Sequence, residues 1–491
     1  MANDHSLPNQ TLVDRLMRLV WPTPPLGLPE RTRRRVILYL IPYLFFLYIL
    51  AYIDRVNVSV AALGMEKPLT EEGLGFDARI IGFGAGIFFW GYWILEMPST
   101  LSVLRWGARY VFVRILVLWG LCCALIGFIG LPWMNHLLSW LPAINHWPLG
   151  EWLLGRIPHL PDNPTVAHFY FLRFLLGLFE GGFFPSVILY LSLWFRPRDR
   201  GRAIATFMAA IPVSSMIGSP LSGALLQLEW LGLPGWRWVF ILQGTLPMLA
   251  GFVTLFFLPN RPENATWLKE DEKSWLVQEL AGEQAARKVH GHLSWLGQAW
   301  VVLLMTVYYF CMNVTSYGLS MFMPSIIKAQ SGVSDSWAAV LAGLPYVAGL
   351  TGMLVNGWHS DRSQERIGHV AVPLVCLSLG LFLAGWFNDS GLVAVLIMIF
   401  GVGTFMYAHL PAFWPIPTIF MGAAAAASAI GFINMIGNLG GFVGPSLFGE
   451  AAAQKAFARG LYTLAPFPLV SGAIILFIGY LRRDRLKASR T

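Results

Sequence analysis

Residues 36–64 read VILYLIPYLFFLYILAYIDRVNVSVAALG. Apart from the adjacent Asp54 and Arg55, the stretch holds no Asp, Glu, Lys or Arg. A helix that crosses a bilayer needs about 20 mostly apolar residues, so this run reads as a membrane span. Directly before it stands Arg31-Thr32-Arg33-Arg34-Arg35, a cluster of the kind that keeps one end of a span cytoplasmic. Residues 1–35 are polar and contain prolines, with no apolar core followed by a cleavage site. The first run is therefore expected to stay in the membrane.

The same ruler finds five more runs in the first half: 79–104, 110–132, 166–195, 201–227 and 237–258. Six follow in the second half: 297–328, 336–358, 369–387, 392–421, 423–448 and 463–481. Pro411, Pro415 and Pro417 interrupt the tenth run. The polar, mixed-charge stretch 259–296 separates the two sets. The 491 residues are 56% hydrophobic and 12% charged, against about 25% charged in soluble proteins. The expected fold is an all-α membrane protein of about 12 transmembrane helices. Its parts are a cytoplasmic tail (1–35), a six-helix bundle (36–258), a cytoplasmic linker (259–296), a second six-helix bundle (297–481) and a basic tail (482–491).

The net charge of +8 is not gathered on one domain, so nucleic acid is not an expected partner. Twelve spans put both termini, the linker and loops 2–3, 4–5, 8–9 and 10–11 on one side. That side holds 25 of the 34 basic residues, the opposite side 7 and the spans 2. Both termini are thus expected to be cytoplasmic, in a multi-pass protein of the bacterial inner membrane. The four cysteines, Cys122, Cys123, Cys311 and Cys376, sit in apolar runs without metal-ligand spacing and read as core. No cofactor or metal is expected, and nothing calls for more than a monomer.

The halves echo one another. The fifth run carries Gly218-Ser219-Pro220-Leu221-Ser222-Gly223, and the eleventh Gly444-Pro445-Ser446-Leu447-Phe448-Gly449. Small residues let transmembrane helices approach closely. Ordinary glycine-rich packing would also account for either motif alone. Their matching places, five spans into each half, favour two parallel repeats around a central cavity, an architecture used by secondary transporters.

Charges within spans are costly and mark functional candidates. Here they are Asp54 and Arg55 in the first span, Arg173 and Glu180 in the fourth, and Glu96 in the second. Arg173 and Glu180 are seven residues apart, hence on one helical face. At 1.5 Å per residue, Asp54 lies about 6 Å outward of its span's midpoint, between the depths of Glu180 and Arg173. Charges on the first and fourth spans are expected to interleave across a shared cavity. A network that merely holds helices together is the plainer reading, though apolar packing would do that at lower cost. Arginine offers a planar fork to a carboxylate, and a carboxyl group in a low-dielectric cavity can carry a proton. Glu96, nearer the cytoplasmic face, is expected to pair with Arg114 or Arg109, as structure or as a gate.

Two motifs add a resemblance. Asn356-Gly357-Trp358-His359-Ser360-Asp361-Arg362, followed by Arg366, resembles the loop 8–9 signature of the major facilitator superfamily. The loop 2–3 copy, Leu104-Arg105-Trp106-Gly107-Ala108-Arg109, keeps the basic residues and glycine, but Ser99-Thr100-Leu101 replaces the acidic part. Within that superfamily the chain resembles the anion:cation symporter family, transporters of tartrate, phthalate, sugar acids and related organic anions. The matching segments are Tyr52 to Asn57, Arg173 to Gly182, Trp194-Phe195, Leu258-Pro259-Asn260-Arg261-Pro262 and Phe413 to Pro445. The resemblance implies the major facilitator fold and proton-coupled uptake of a small organic anion. Arg55 and Arg173 would hold the substrate carboxylate, and Asp54 and Glu180 would couple to protons. Tyr52, Asn57, Trp414 and Asn434 would line the same cavity. Glu96, Arg105, Arg109, Arg114, Asp361 and Arg362 would be gating or structural.

An exporter, exchanger or facilitator on the same scaffold is the alternative. An enzyme is disfavoured because no His-Asp-Ser set, paired metal motif or phosphate loop is present. A sensor is disfavoured because the linker is too short for a signalling domain. The loop 133–165 is long and holds Trp133, His136, Trp140, His146, Trp147, Trp152 and His159. It reads as an interfacial amphipathic segment rather than a metal site.

Overall fold

The computed structural model describes residues 27–141, 163–287, 299–421 and 423–481. In hydrocarbon every backbone N–H and C=O must be satisfied internally, and the apolar runs accordingly form helices. Among the described residues, eleven segments are long and apolar enough to cross a bilayer. They are α1 (Leu28–Met65), α2 (Ala78–Trp106), α3 (Ala108–Ile126), α4 (Pro164–Ser192), α5 (Asp199–Leu225) and α6 (Gly235–Phe257) in the first half. The second half has α7 (Ala299–Ser331), α8 (Asp335–Ser363), α9 (Ile367–Trp386), α10 (Leu392–Met421) and α12 (Phe457–Leu481). At the eleventh predicted run stands α11, two shorter helices, Ala423–Gly437 and Gly440–Ala453. The result is two six-helix bundles.

Helix ends follow local chemistry. The Asp77 carboxylate accepts from the Ile80 N–H at 2.9 Å and starts α2, and Asn163 accepts from the Thr165 N–H at 2.9 Å at α4. The Gly107 turn at φ +87° docks on the Leu258 to Pro262 segment: a side chain there would meet Asn260. Arg109 donates to the Leu258 carbonyl at 2.7 Å, and its own N–H to Asn260 Oδ1 at 2.9 Å. A linker helix, Glu270–Arg287, returns to the start of α1, where Arg31 bonds Asp271 and Glu272 and Arg35 pairs with Glu272 at 3.2 Å.

The repeated glycine motifs do the same job in each half. In α5, Gly218 packs on Ile53 of α1, while Gly223 meets Ser336 and Ala339 of α8. In α11, Gly444 packs on the Val314 carbonyl of α7, while the carbonyl of Pro445 packs on Gly82 of α2. Each motif therefore joins its own bundle to the opposite one. A Cβ on Gly444 would collide with backbone that no side-chain rotation can move. Gly444→Val is expected to destabilise the fold by about 3 kcal/mol or more, read as a lowered Tm in detergent.

Several helices break in mid-membrane, where irregular backbone is tolerated only if it lines protein or a cavity. The α1 helix turns at Asn57, just past Arg55, and α4 breaks at Gly181-Gly182, just past Glu180. The proline-interrupted α10 carries a π-helical stretch, Ile397–Gly403, then a turn at 407–409. At the ends of α1 and α2 far from the chain termini, the bundles are joined by Arg79–Glu450 at 2.8 Å and Lys67–Asp335 at 3.3 Å. Of loop 133–165, the expected interfacial segment falls mostly on 142–162, outside the described residues, as do 1–26, 288–298 and 482–491.

Candidate functional site

Asp54 and Arg55 are adjacent in the helical part of α1 before its turn at Asn57, and the rotation of about 100° between them sends them to different neighbours. Arg55 is 4% exposed and points between the bundles. One of its nitrogens bonds Glu180 of α4, and the other donates to the Tyr317 hydroxyl of α7 at 2.8 Å. Tyr317 also bonds the Tyr52 hydroxyl at 3.2 Å. The rings of Tyr52, Tyr92 and Phe88 surround the guanidinium at 4.8, 5.2 and 5.3 Å, an apolar and cation–π lining that excludes water from the charge.

Asp54 faces α3 instead. Its carboxylate accepts from Trp119 Nε1 at 2.8 Å and from the Cys123 thiol at 3.5 Å. Asn57 joins the same cluster by donating to Cys123 at 3.3 Å. Arg173 is fully buried, donating to the Gly84 carbonyl at 3.1 Å and the Arg55 carbonyl at 3.5 Å. One Glu180 oxygen and Arg173 Nη1 have no hydrogen-bond partner among the described residues. Buried polar atoms without partners are rare, and these two lie on the single α4 face that the seven-residue spacing predicted.

Beside Tyr52 and Tyr317 lies a cavity of about 40 Å³, whose polar wall includes Tyr309, Asn313 and Ser320 of α7 and His409 of α10. That volume holds about three waters, too little for a solute of several heavy atoms unless the cavity widens. The sequence reading missed this wall. Tyr309, Asn313, Ser316, Tyr317 and Ser320 recur at helical spacing along an otherwise apolar span, a periodic polar stripe that was available as a signal. The turn at 407–409 explains His409: it takes the imidazole to Tyr308, 2.6 Å from its hydroxyl. Nothing in the one-letter pattern marks Trp119 as Asp54's partner.

Of the other expected cavity residues, Trp414 is half-buried against Tyr309 and Phe413, ring centroids 5.1 Å away in each case. Asn434 is buried against α2. The pairing expected of Glu96 is wrong. Its carboxylate bonds Asn434 Nδ2 of α11 at 2.7 Å, whereas Arg114 bonds Ser99 and Arg109 is held by the Leu258 to Asn260 turn. Depth along α2 put Glu96 near those arginines, but the side chain leaves α2 on the face that meets the other bundle. Arg105 is exposed at the end of α2.

In loop 8–9, Asp361 pairs with Arg366 at 2.7 Å, and Arg362 lies 5.6 Å over Trp358. Asn356 donates at 2.8 Å both to the Ala408 carbonyl, freed by the α10 turn, and to the His369 carbonyl. The signature loop is thereby tied to the helix that lines the cavity. Burial pushes the Glu365 carboxyl up. The N–H groups of Gly368 and His369 and the His369 ring outweigh this and hold it below the ordinary glutamate value.

Residues 44–445 match the family model described as Major Facilitator Superfamily. The chain belongs to this superfamily. A protein of Agrobacterium vitis named "Putative tartrate transporter" is 37% identical over 454 residues, covering 92% of each chain. A "Quinolone resistance transporter" of Acinetobacter baumannii is 34% identical, covering 92% of this chain and 96% of its own. The fold is shared with a bacterial homolog of the human lysosomal transporter Spinster, at a TM-score of 0.71 and 14% identity, covering 92% of this chain and 98% of that one. As a major facilitator protein, the molecule is an integral multi-pass secondary transporter, not an enzyme.

Proposed function

We propose that this transporter takes up a small organic anion, such as a dicarboxylate or sugar acid, together with protons by alternating access. The observation that carries the reading is the buried Arg55, shared between Glu180 of its own bundle and Tyr317 of the other. An arriving carboxylate can displace Glu180 from the guanidinium fork. Glu180 would then be a buried charge without its partner, and taking a proton removes that cost. Substrate and proton thus favour each other's binding, as linkage requires. Arg173, one turn pair away on the same α4 face, adds a second fixed cation. Asp54, held by Trp119, is the other carboxyl that can change protonation during the cycle. The two relatives named for tartrate, of which the second is 36% identical, support an organic anion as cargo. The relative named for quinolone resistance keeps an exporter as the second reading.

In this reading the protein is a monomer in a bacterial inner membrane, with both termini and the linker cytoplasmic and residues 133–165 outside. Single-cysteine labelling with an impermeant reagent tests the orientation. Position 278, exposed on the linker helix, is expected to be unreactive in intact cells and reactive in inverted vesicles; labelling from outside would reverse the topology. Thermal shift against tartrate, sugar acids and aromatic acids tests the cargo class, with stabilisation expected from at least one hydroxylated carboxylate.

A further inference from the structure

The α2 and α11 helices cross between the bundles as an antiparallel ladder. From the end far from the termini, its rungs are Ala78 against Gly449, Gly82 against Pro445, Gly86 against Phe442, and Phe89 against Gly441. The last rung toward the termini, among the described residues, is the Glu96–Asn434 hydrogen bond at 2.7 Å. One turn further along α11, Gly431 is exposed, and a Cβ there would meet nothing within 4 Å. On α2, Leu101 and Leu104 are also exposed. Glu96 therefore sits where the sealed part of the interface ends.

The rung is chemically unlike the others. Glu96 is 3% exposed, yet its Oε2 has no hydrogen-bond partner, and no Lys or Arg nitrogen among the described residues lies within 4 Å of the carboxylate. The nearby cations make their hydrogen bonds to other groups, and Arg55 acts on Glu96 only through space. Arg55 of α1 is held by Glu180 and Tyr317, Arg173 of α4 by backbone carbonyls, and Arg114 of α3 by Ser99. The remaining titratable neighbours are Tyr92 on α2 and Tyr309 on α7, and α11 itself contributes the neutral Asn434. A carboxylate confined there with one neutral hydrogen bond is costly, and the same carboxyl in neutral form is much less so. When the bundles part at this rung, water reaches Glu96 and ionisation costs little.

We infer that Glu96 is a proton-binding site separate from Asp54 and Glu180, and that its protonation closes the Glu96–Asn434 rung while its ionisation opens the termini side of the α2–α11 ladder. The inference rests on alternating access as proposed above, but not on which carboxyl groups drive uptake.

Spin labels at Leu101→Cys and Gly431→Cys, with the half-buried Cys376 replaced by alanine, report the separation across the open end. The measurement uses the full chain in lipid discs without substrate, over pH 5 to 9. The parent is expected to shift from shorter to longer distances as pH rises. Glu96→Gln, which keeps the neutral form, should hold the shorter distribution throughout. Asn434→Ala, which removes the partner, should lose the pH-dependent shift as well. The inference is overturned if the parent does not shift, if Asn434→Ala retains the shift, or if Glu96→Gln titrates like the parent or stays long. A shift that survives in Glu96→Gln would belong to Asp54 or Glu180, leaving proton-coupled uptake standing while removing Glu96 from it.

Discussion

Replacing Arg55 with lysine is expected to weaken substrate binding by roughly tenfold to 150-fold although the charge is retained. The guanidinium serves Glu180 and Tyr317 at once through separate nitrogens, and its planar fork can receive a carboxylate with two parallel hydrogen bonds. An ammonium on a shorter reach cannot keep both partners. A hydrogen bond to a charged group contributes about 1.5–3 kcal/mol, which sets that range. Arg173→Lys should lose comparably, because the guanidinium also bridges carbonyls of α1 and α2. Binding by scintillation proximity or calorimetry on monodisperse protein reads the effect. Near-normal affinity in both variants would return the pair to a purely structural role.

The second large effect concerns coupling. Glu180→Gln and Asp54→Asn imitate the protonated forms and should abolish accumulation driven by a pH gradient. Exchange of labelled for unlabelled substrate needs no net proton movement, so at least one variant should retain counterflow. Glu180→Gln also leaves Arg55 without its anionic partner. Unpairing one member of a buried ion pair costs about 3–5 kcal/mol, so a lowered Tm without substrate, partly restored by it, is expected. Asp54→Asn keeps an acceptor for Trp119 and should cost less stability.

The span pattern was legible because a bilayer converts length and apolarity directly into helices; even the interrupted tenth run becomes an interrupted helix. The intramembrane charges were legible for the same reason, since Asp54, Arg55, Arg173 and Glu180 stand out against an apolar background. Which neighbour each one meets was not legible. Rise per residue gives depth, but the rotation of a helix in its bundle depends on packing by distant residues. Glu96 was matched by depth to Arg109 and Arg114, while α2 turns its face to Asn434 through glycine contacts with α11. Asp54 is adjacent to Arg55 in sequence, yet successive side chains on a helix diverge by about 100°, and the two end in different networks. The α7 wall was readable and overlooked, because tyrosine, serine and asparagine count as mild in hydropathy even when they line up on one face.

Proton-coupled uptake is tested most directly in proteoliposomes loaded with a pH indicator and given a labelled organic anion chosen by thermal shift. With an acidic exterior, the account predicts accumulation above equilibrium, an acidifying lumen that follows substrate entry, and collapse of both with a protonophore. Equilibration that ignores the pH gradient, with no proton entering alongside substrate, would contradict it.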